Sequence, residues 1–266
     1  MRFKPWLCLA AAFLLPAISQ QSFVFANSEL SGLQTQAVTT LVDPAALQGF
    51  LATHTGLSQT QKNALNAINN YSTNSVLKTK YIDQSSSDPL VILFEGAGSY
   101  AYPPLTDTLK KYEPYHVQGR FQAMAVVVKS HMIYNVFLDA STMPDQPESD
   151  SVATTKNTNS DGSLPPFNSG LHSGSYAALL LNNNGSVPAT YGSKKVSKTA
   201  TAIQLHKGYN QDNPSSPTSL GCLIVHKDTY GSFASTVGYI NDASSVGTSY
   251  NNVNGYMIID RSYRPW

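Results

Sequence analysis

A histidine and a cysteine, which together can perform nucleophilic chemistry, stand sixteen positions apart at His206 and Cys222. Each borders a short apolar run, Ile203–Leu205 before the histidine and Leu223–Val225 after the cysteine. A cysteine attacks a carbonyl carbon as its thiolate, and a nearby imidazole can take the thiol proton and form an ion pair with it. The spacing therefore predicts strand, loop, strand, with an imidazole at the end of one strand and a thiol at the start of the next.

The backbone around these two residues also suits acyl transfer. Gly221 allows a tight turn just before Cys222. The backbone N–H groups from Leu220 onward are then available to a developing oxyanion. A backbone carbonyl at Lys207 or Gly208 would accept a hydrogen bond from the second imidazole nitrogen and fix its tautomer.

The first residues have the pattern of a secretory signal peptide. Arg2 and Lys4 form a basic start, Trp6–Ile18 is mostly apolar, and residues 24–26 (Val-Phe-Ala) place small side chains at the −3 and −1 positions of a cleavage site. The apolar run is shorter than the roughly 20 residues that cross a bilayer. We expect removal of residues 1–26, no membrane span afterwards, and export to the periplasm or outside the cell.

Export makes the cysteine count informative. The chain has two cysteines, Cys8 and Cys222, and removal of residues 1–26 leaves only the second. A lone thiol in an oxidising compartment is buried and inert, linked to another molecule, or reactive. The formal net charge of +1, with 12% charged residues, gives no reason to expect a nucleic-acid partner.

The chain order predicts a mainly β protein with a small helical N-terminal region. Asp43 and Pro44 are a good helix start, and Ser58 with Gln61 has the form of a capping box. We assign residues 27–88 to the helical region and residues 89–266 to a β-rich catalytic domain. Residues 140–170 are polar and predict a surface excursion. The predicted strands are Pro89–Phe94, Phe121–Lys129, Met132–Leu138, Tyr176–Leu181 and Tyr256–Ile259, and a short helix is predicted over Lys227–Val237.

His206, its polar loop and the Ser-Leu-Gly-Cys run at 219–222, followed by apolar residues, resemble the signature of the L,D-transpeptidase (YkuD-like) catalytic-domain family. The resemblance is strongest over Ile203–Val225, extends weakly over residues 121–260, and does not cover the first 120 residues. It implies an L,D-transpeptidase-like β-sandwich and cell-wall biogenesis by cysteine acyl transfer on peptidoglycan stem peptides. L,D-transpeptidation and L,D-carboxypeptidase cleavage share the thioester and differ in the acceptor.

The resemblance also implies a role for each matching residue. Cys222 would be the nucleophile, His206 the general base, and the backbone at Lys207-Gly208 the orienting third group. Leu220, Gly221 and Cys222 would form the oxyanion hole, with Ser219 in support. No metal or organic cofactor is implied. The expected setting is periplasmic or extracellular and cell-wall associated.

Two positions depart from the family's pattern. Members often have histidine where this chain has Leu220, and commonly arginine where it has Ile224. The departures predict a donor peptide that is held differently. They also leave an alternative, a secreted peptidoglycan-binding or structural protein that keeps the fold without turnover.

Other residues near the motif have competing interpretations. His172 and Tyr176 are candidate substrate contacts, although His172 also fits a loop histidine capped by backbone groups. His226 is interpreted as structural. A zinc site that combines these histidines with His206 and Cys222 lacks any HxxxH or CxxC pairing. A papain-like peptidase does not fit, because in that family the cysteine precedes the histidine and lies on a helix.

Overall fold

The computed structural model describes residues 39–99, 121–142, 153–155, 164–191, 196–208 and 221–263. The predicted signal peptide, Ser219 and Leu220 lie outside these residues. The described residues all belong to one compact unit, Val38–Trp266. None of their helices is long and apolar enough to span a membrane.

Eight strands form one large mixed sheet that closes into a barrel, in the order β1-β11-β5-β6-β9-β10-β3-β2. The pairs β1–β11 and β9–β10 are parallel, and the other neighbours are antiparallel. The bounds are β1 Leu90–Glu95, β2 Ala123–Lys129, β3 Met132–Ser141, β5 Pro166–His172, β6 Tyr176–Leu181, β9 Gln204–Gly208, β10 Leu223–His226 and β11 Asn254–Asp260. A separate sheet, β4-β7-β8, contains β4 Ala153–Thr155, β7 Val187–Tyr191 and β8 Val196–Ala200.

The helices before the barrel begin where the sequence predicts. Asp43 caps α1 through its side chain, which accepts from the backbone N–H of Ala46. Ser58 and Gln61 form both hydrogen bonds of a capping box at the start of α2. These elements are α1 Pro44–Thr53, α2 Gln59–Asn66, a 3₁₀ helix Ile68–Thr73, α3 Ser75–Leu77 and a π-helix Lys78–Asp83; a 3₁₀ turn at Asn182–Asn184 and α4, Tyr230–Val237, come later.

Two apolar clusters follow from the alternation of side chains along the strands. The inner cluster fills the barrel with one set of alternate residues, such as Val91 and Leu93 of β1, and includes α4 through Phe233. The outer cluster takes the other set, such as Ile92 and Phe94, and buries it beneath the N-terminal helices. Side chains thus fill the interior of the barrel, and the N-terminal helices cover its outer surface at β1 and β2.

The mainly β prediction is confirmed, and β6 has the predicted bounds. Strand β5, Pro166–His172, was not predicted, because its first five residues fall within the polar stretch 140–170 interpreted as a surface excursion. Strands β7 and β8 were also missed, since β8 is largely exposed and β7 contains Pro188, which is unusual within a sheet. His131 at the β2–β3 turn is half-buried, with Nδ1 3.1 Å from the carbonyl oxygen of Thr40.

Candidate functional site

The parallel pairing of β9 with β10 brings the predicted histidine strand against the predicted cysteine strand. Ile224 pairs with His206, and Leu223 pairs with Leu205. Leu205 and Leu223 belong to the inner cluster, so His206 and its partner Ile224 face outward. Cys222 comes one residue before β10, and its Sγ lies near backbone groups of Ala202 and Gln204 at the start of β9.

Backbone groups of the turn before β9 hold the thiol of Cys222. Its Sγ lies 3.7 Å from the carbonyl oxygen of Ala202 and accepts a hydrogen bond from the backbone N–H of Gln204. The residue is not part of a disulfide. Burial raises the pKa of the Cys222 thiol, and the Gln204 N–H offsets only part of that increase. The sulfur is therefore a protonated thiol at neutral pH.

His206 is nearly buried, with 5% of its surface exposed. Its Nδ1 lies 3.0 Å from the carbonyl oxygen of Lys207. A carbonyl oxygen only accepts, so Nδ1 carries the proton and Nε2 keeps its lone pair. Of the two carbonyls considered from the sequence, the structure assigns Lys207 rather than Gly208 to this contact. His206 is thus fixed in the tautomer that a general base needs.

Burial lowers the pKa of His206 to about 4, and the charge of the neighbouring His172 adds to the effect. The hydrogen bond to the Lys207 carbonyl acts in the opposite direction but is the smallest of the three causes. His206 is therefore neutral at pH 7. Together with the raised thiol pKa of Cys222, this opposes the resting ion pair that the sequence suggests. Transfer of the thiol proton to the imidazole would have to accompany attack on the substrate.

Tyr176 supports the imidazole from β6. Its hydroxyl lies 3.3 Å from His206 Nδ1 and 3.4 Å from the carbonyl oxygen of Lys207. Because Nδ1 carries a proton, the hydroxyl accepts there and donates to the carbonyl. The ammonium of Lys207 lies 4.8 Å from the centre of the Tyr176 ring, within cation–π range. Tyr176 is buried, so these contacts make it a positioning residue for His206.

His172 stacks on His206, with ring centres 4.1 Å apart and an interplanar angle of 25°. Its Nδ1 donates to Oε1 of Gln204 at 2.7 Å, and Nε2 of Gln204 donates to Oδ1 of Asn184 at 3.0 Å. This chain of contacts fixes the orientation of His172 and leaves its Nε2 as an acceptor when the ring is neutral. His172, Tyr176, Gln204 and His206 form one polar cluster across β5, β6 and β9.

Two positions near the site are glycine for different structural reasons. Gly221 has a φ of +150°, a backbone conformation that side chains disfavour, directly before Cys222. Gly208 is limited by space, because a Cβ there would lie 3.0 Å from Cδ1 of Ile224 and 3.3 Å from the ring of Phe121. Ile224 is fully buried in this packing. It therefore fills space at the position where the family pattern has a polar side chain.

His226 lies at the far end of β10, paired with Gly208. Its ring packs edge-on against Phe121 with centres 4.7 Å apart, and its Nδ1 accepts from the backbone N–H of Asp228 at 3.3 Å. These contacts agree with a structural role. Among the described residues, no group of three or more His, Cys, Asp or Glu side chains is arranged to hold a metal ion.

The sequence predicted His206, Cys222, His172 and Tyr176 as site residues and did not single out Gln204. Its signal was available, since Gln204 and His206 stand two positions apart on one strand and so share a face. Its partner Asn184 is recognisable only from the structure, since it lies twenty positions earlier in the chain.

Comparison with known proteins supplies no relative: no family model, no curated protein and no solved structure matches the chain.

Proposed function

We propose that the protein is an exported cysteine acyl-transferase that acts on peptidoglycan stem peptides through a thioester on Cys222. The observation that carries the proposal is the tautomer of His206. Its Nδ1–H is committed to the Lys207 carbonyl, so Nε2 can accept a proton, and the strand pairing sets His206 beside Ile224, two residues after Cys222. The sequence resemblance contributes the substrate class, the L,D-transpeptidase-like β-sandwich assignment of the barrel and the cell-wall location.

The proposed reaction has two halves. Sγ of Cys222 attacks the carbonyl carbon of an L,D-peptide bond while Nε2 of His206 takes the thiol proton. The tetrahedral intermediate collapses, the C–N bond breaks, and His206 returns the proton to the leaving amine. An acceptor amine or water then attacks the thioester, gives its proton to Nε2, and releases the thiol. An amine acceptor gives L,D-transpeptidation, and water gives L,D-carboxypeptidase cleavage.

The buried, neutral state of both groups sets the energetic requirement of the first half. A neutral imidazole and a neutral thiol are favoured before the substrate arrives, since burial penalises both charged forms. The carbonyl of Lys207 stabilises the imidazolium that forms during attack. The backbone N–H groups of Gly221 and Cys222 are proposed to stabilise the oxyanion, a contribution of about 3–4 kcal/mol per donor in other acyl-transfer sites.

The test uses a carbapenem, a β-lactam whose carbonyl traps an attacking cysteine as a stable adduct. We expect the purified full-length protein to gain the mass of one carbapenem, and peptide mapping to assign it to Cys222. The Cys222→Ala variant is the matched control, and in protein that retains residues 1–26 it also reports any reaction at Cys8. A folded wild-type protein that gains no mass on Cys222, or an equal gain in the variant, would refute the proposal.

A second candidate function has its own observation. The raised pKa of Cys222 and the lowered pKa of His206 would also suit a secreted peptidoglycan-binding or structural protein without turnover. The rate at which iodoacetamide alkylates Cys222, measured across pH 6–10 with and without a donor peptide, separates the two functions. An enzyme should show faster alkylation in wild type than in His206→Ala. Equal rates in both proteins, together with no carbapenem adduct, would favour the inactive scaffold.

A further inference from the structure

A second candidate site lies between the helical segment and the end of β11. A cavity of about 470 Å³ opens there, and its lining includes Tyr71, Asn70 and Asn74 from the helical side and Asp260 and Tyr263 from the β11 side. None of these residues belongs to the candidate site on β9 and β10. The volume is in the range of pockets that bind small organic ligands.

The carboxylate of Asp260 lines this cavity, but it is hydrogen-bonded to groups of the protein itself. Asp260 is 3% exposed and accepts from the hydroxyl of Tyr71 and from the N–H and hydroxyl of Ser262, the latter two at 2.8 and 2.6 Å. Its acceptor sites are thus largely occupied by the protein's own donors. Asp260 holds the Tyr71 ring in place and has few acceptor sites left for a ligand's N–H groups, which argues against an ammonium ligand.

Two half-buried aromatic rings border the cavity. Tyr71 and Tyr263 both pack on Phe94, with ring centres 6.4 and 5.5 Å apart, so their orientations are fixed before any ligand arrives. Burial raises the pKa of Tyr263, and the charge of Asp260 adds to the increase. Its hydroxyl therefore remains protonated at neutral pH. Each ring combines an apolar face with a polar edge.

The remaining polar groups are uncharged. Oδ1 of Asn74 accepts from the backbone N–H groups of Val76 and Leu77 at 3.0 and 3.2 Å, so the amide is oriented and its Nδ2 is left as a donor. Asn70 is exposed at the rim and offers both a donor and an acceptor. Among the described lining residues there is no lysine or arginine, which argues against a phosphate or carboxylate ligand.

We propose that this cavity binds a pyranose ring of a neutral saccharide. The apolar C–H face of a sugar ring would stack on the tyrosines, and its hydroxyl groups would bond to the two asparagine amides. The fixed rings and the oriented amide lower the entropic cost of binding. The proposal does not depend on chemistry at Cys222.

The experiment is carried out on full-length Cys222→Ala protein, so that catalysis cannot contribute. Chitotetraose, cellotetraose and maltotetraose are titrated and followed by saturation-transfer NMR. At least one should bind saturably. Tyr263→Ala and Asn70→Ala should each weaken that binding, the tyrosine by about tenfold. Tyr134→Ala is the matched control, since Tyr134 is 55% exposed and does not line the cavity.

Asn70→Ala keeps the test valid if Tyr263→Ala fails to fold, because the Asn70 side chain is exposed. Loss of binding in the cavity variants with retention in Tyr134→Ala supports the site. Failure of all three saccharides to bind would overturn the proposal, as would binding that neither cavity variant weakens. Saturable binding of putrescine at this cavity, without saccharide binding, would replace the proposed ligand by a cation.

Discussion

The barrel has two outer faces of opposite chemical character. On β1 and β2, the outward residues are apolar, such as Ile92, Phe94 and Val126, and the N-terminal helices bury them. On β9, the outward residues are Gln204 and His206, which join a polar cluster. Most inward residues of the strands are apolar, with Glu95 and Ser169 as buried polar exceptions. The helix-covered part of the outer surface thus contributes stability. The polar part on β9 can carry reactive side chains without any change to the inner cluster.

The comparison predicts that substitutions on the two faces act on different properties. On the polar face, they should change reaction rates more than stability. On the apolar face, they should change the free energy of unfolding and leave the rate per folded molecule unchanged.

The largest effect is expected for His206→Ala on the polar face. Loss of the proposed general base should slow carbapenem acylation of Cys222 by about 10²–10⁴-fold. Quenched time courses followed by mass spectrometry would measure this rate. His54→Ala is a matched control, because His54 is a half-buried histidine on the helical side, stacked on Phe50. A decrease of less than about fivefold would contradict the role of His206 as base.

On the apolar face, Leu65→Ala should remove a fully buried side chain from the outer cluster. The expected loss is about 3 kcal/mol in the free energy of unfolding, as for other buried leucines. Urea unfolding followed by circular dichroism would measure it. The acylation rate, corrected for folded protein at low temperature, should match wild type. A rate that falls with stability would show that the two faces are coupled.

The next effect is a pH dependence of the free energy of unfolding that arises from His206 on the polar face. The folded-state pKa of His206 is about 4, below its ordinary value of 6.5, because the charged ring is disfavoured in the fold. The unfolded chain therefore binds a proton that the folded chain excludes between these two values. Stability should fall as the pH drops from about 6.5 to about 4, by roughly 3 kcal/mol from this residue.

Urea unfolding at several pH values would measure that loss in wild type and in His206→Gln, which has no titratable group at this position. The variant should show a shallower dependence on pH over this range. Equal slopes in the two proteins would mean that His206 can take a proton within the fold, and the low pKa would be wrong.

The smallest effect is expected at the capping box on the helical side. Ser58→Ala removes the side-chain acceptor for the backbone N–H of Gln61. Similar caps contribute about 1 kcal/mol. Thermal unfolding would measure the loss, and Ser87→Ala, at an exposed serine outside the helices and strands, is a control for the removal of a hydroxyl. Acylation of Cys222 should be unchanged, and a measurable change would weaken the division between the faces.

Local signals in the sequence predicted local structure well. The Asp43 and Ser58 caps and the strand β6 depend on neighbouring residues only, and the structure confirms them. The pairing of β9 with β10 was suggested by the spacing of His206 and Cys222, because a loop of this length can return the chain beside itself. The order of the other strands depends on long-range pairing that no local pattern specifies.

The properties of the site were harder to predict than its residues. The pKa directions of His206 and Cys222 depend on burial, which is set by strands far away in the sequence. The stacking of His172 on His206 and the bond from Gln204 to Asn184 likewise require the register of β5, β6 and β9. A motif can identify a nucleophile and a base, but their protonation states follow from the packed structure.

The central claim is that Cys222 forms an acyl-enzyme with a peptidoglycan stem peptide. The most direct measurement is intact mass spectrometry of the full-length protein after rapid acid quenching of a reaction with a defined muropeptide that carries a tetrapeptide stem. The account predicts a transient mass increase that maps to Cys222, is absent in Cys222→Ala and forms far more slowly in His206→Ala. Release of the stem's terminal amino acid without any adduct on Cys222, or an adduct of the same mass on the Cys222→Ala variant, would contradict it.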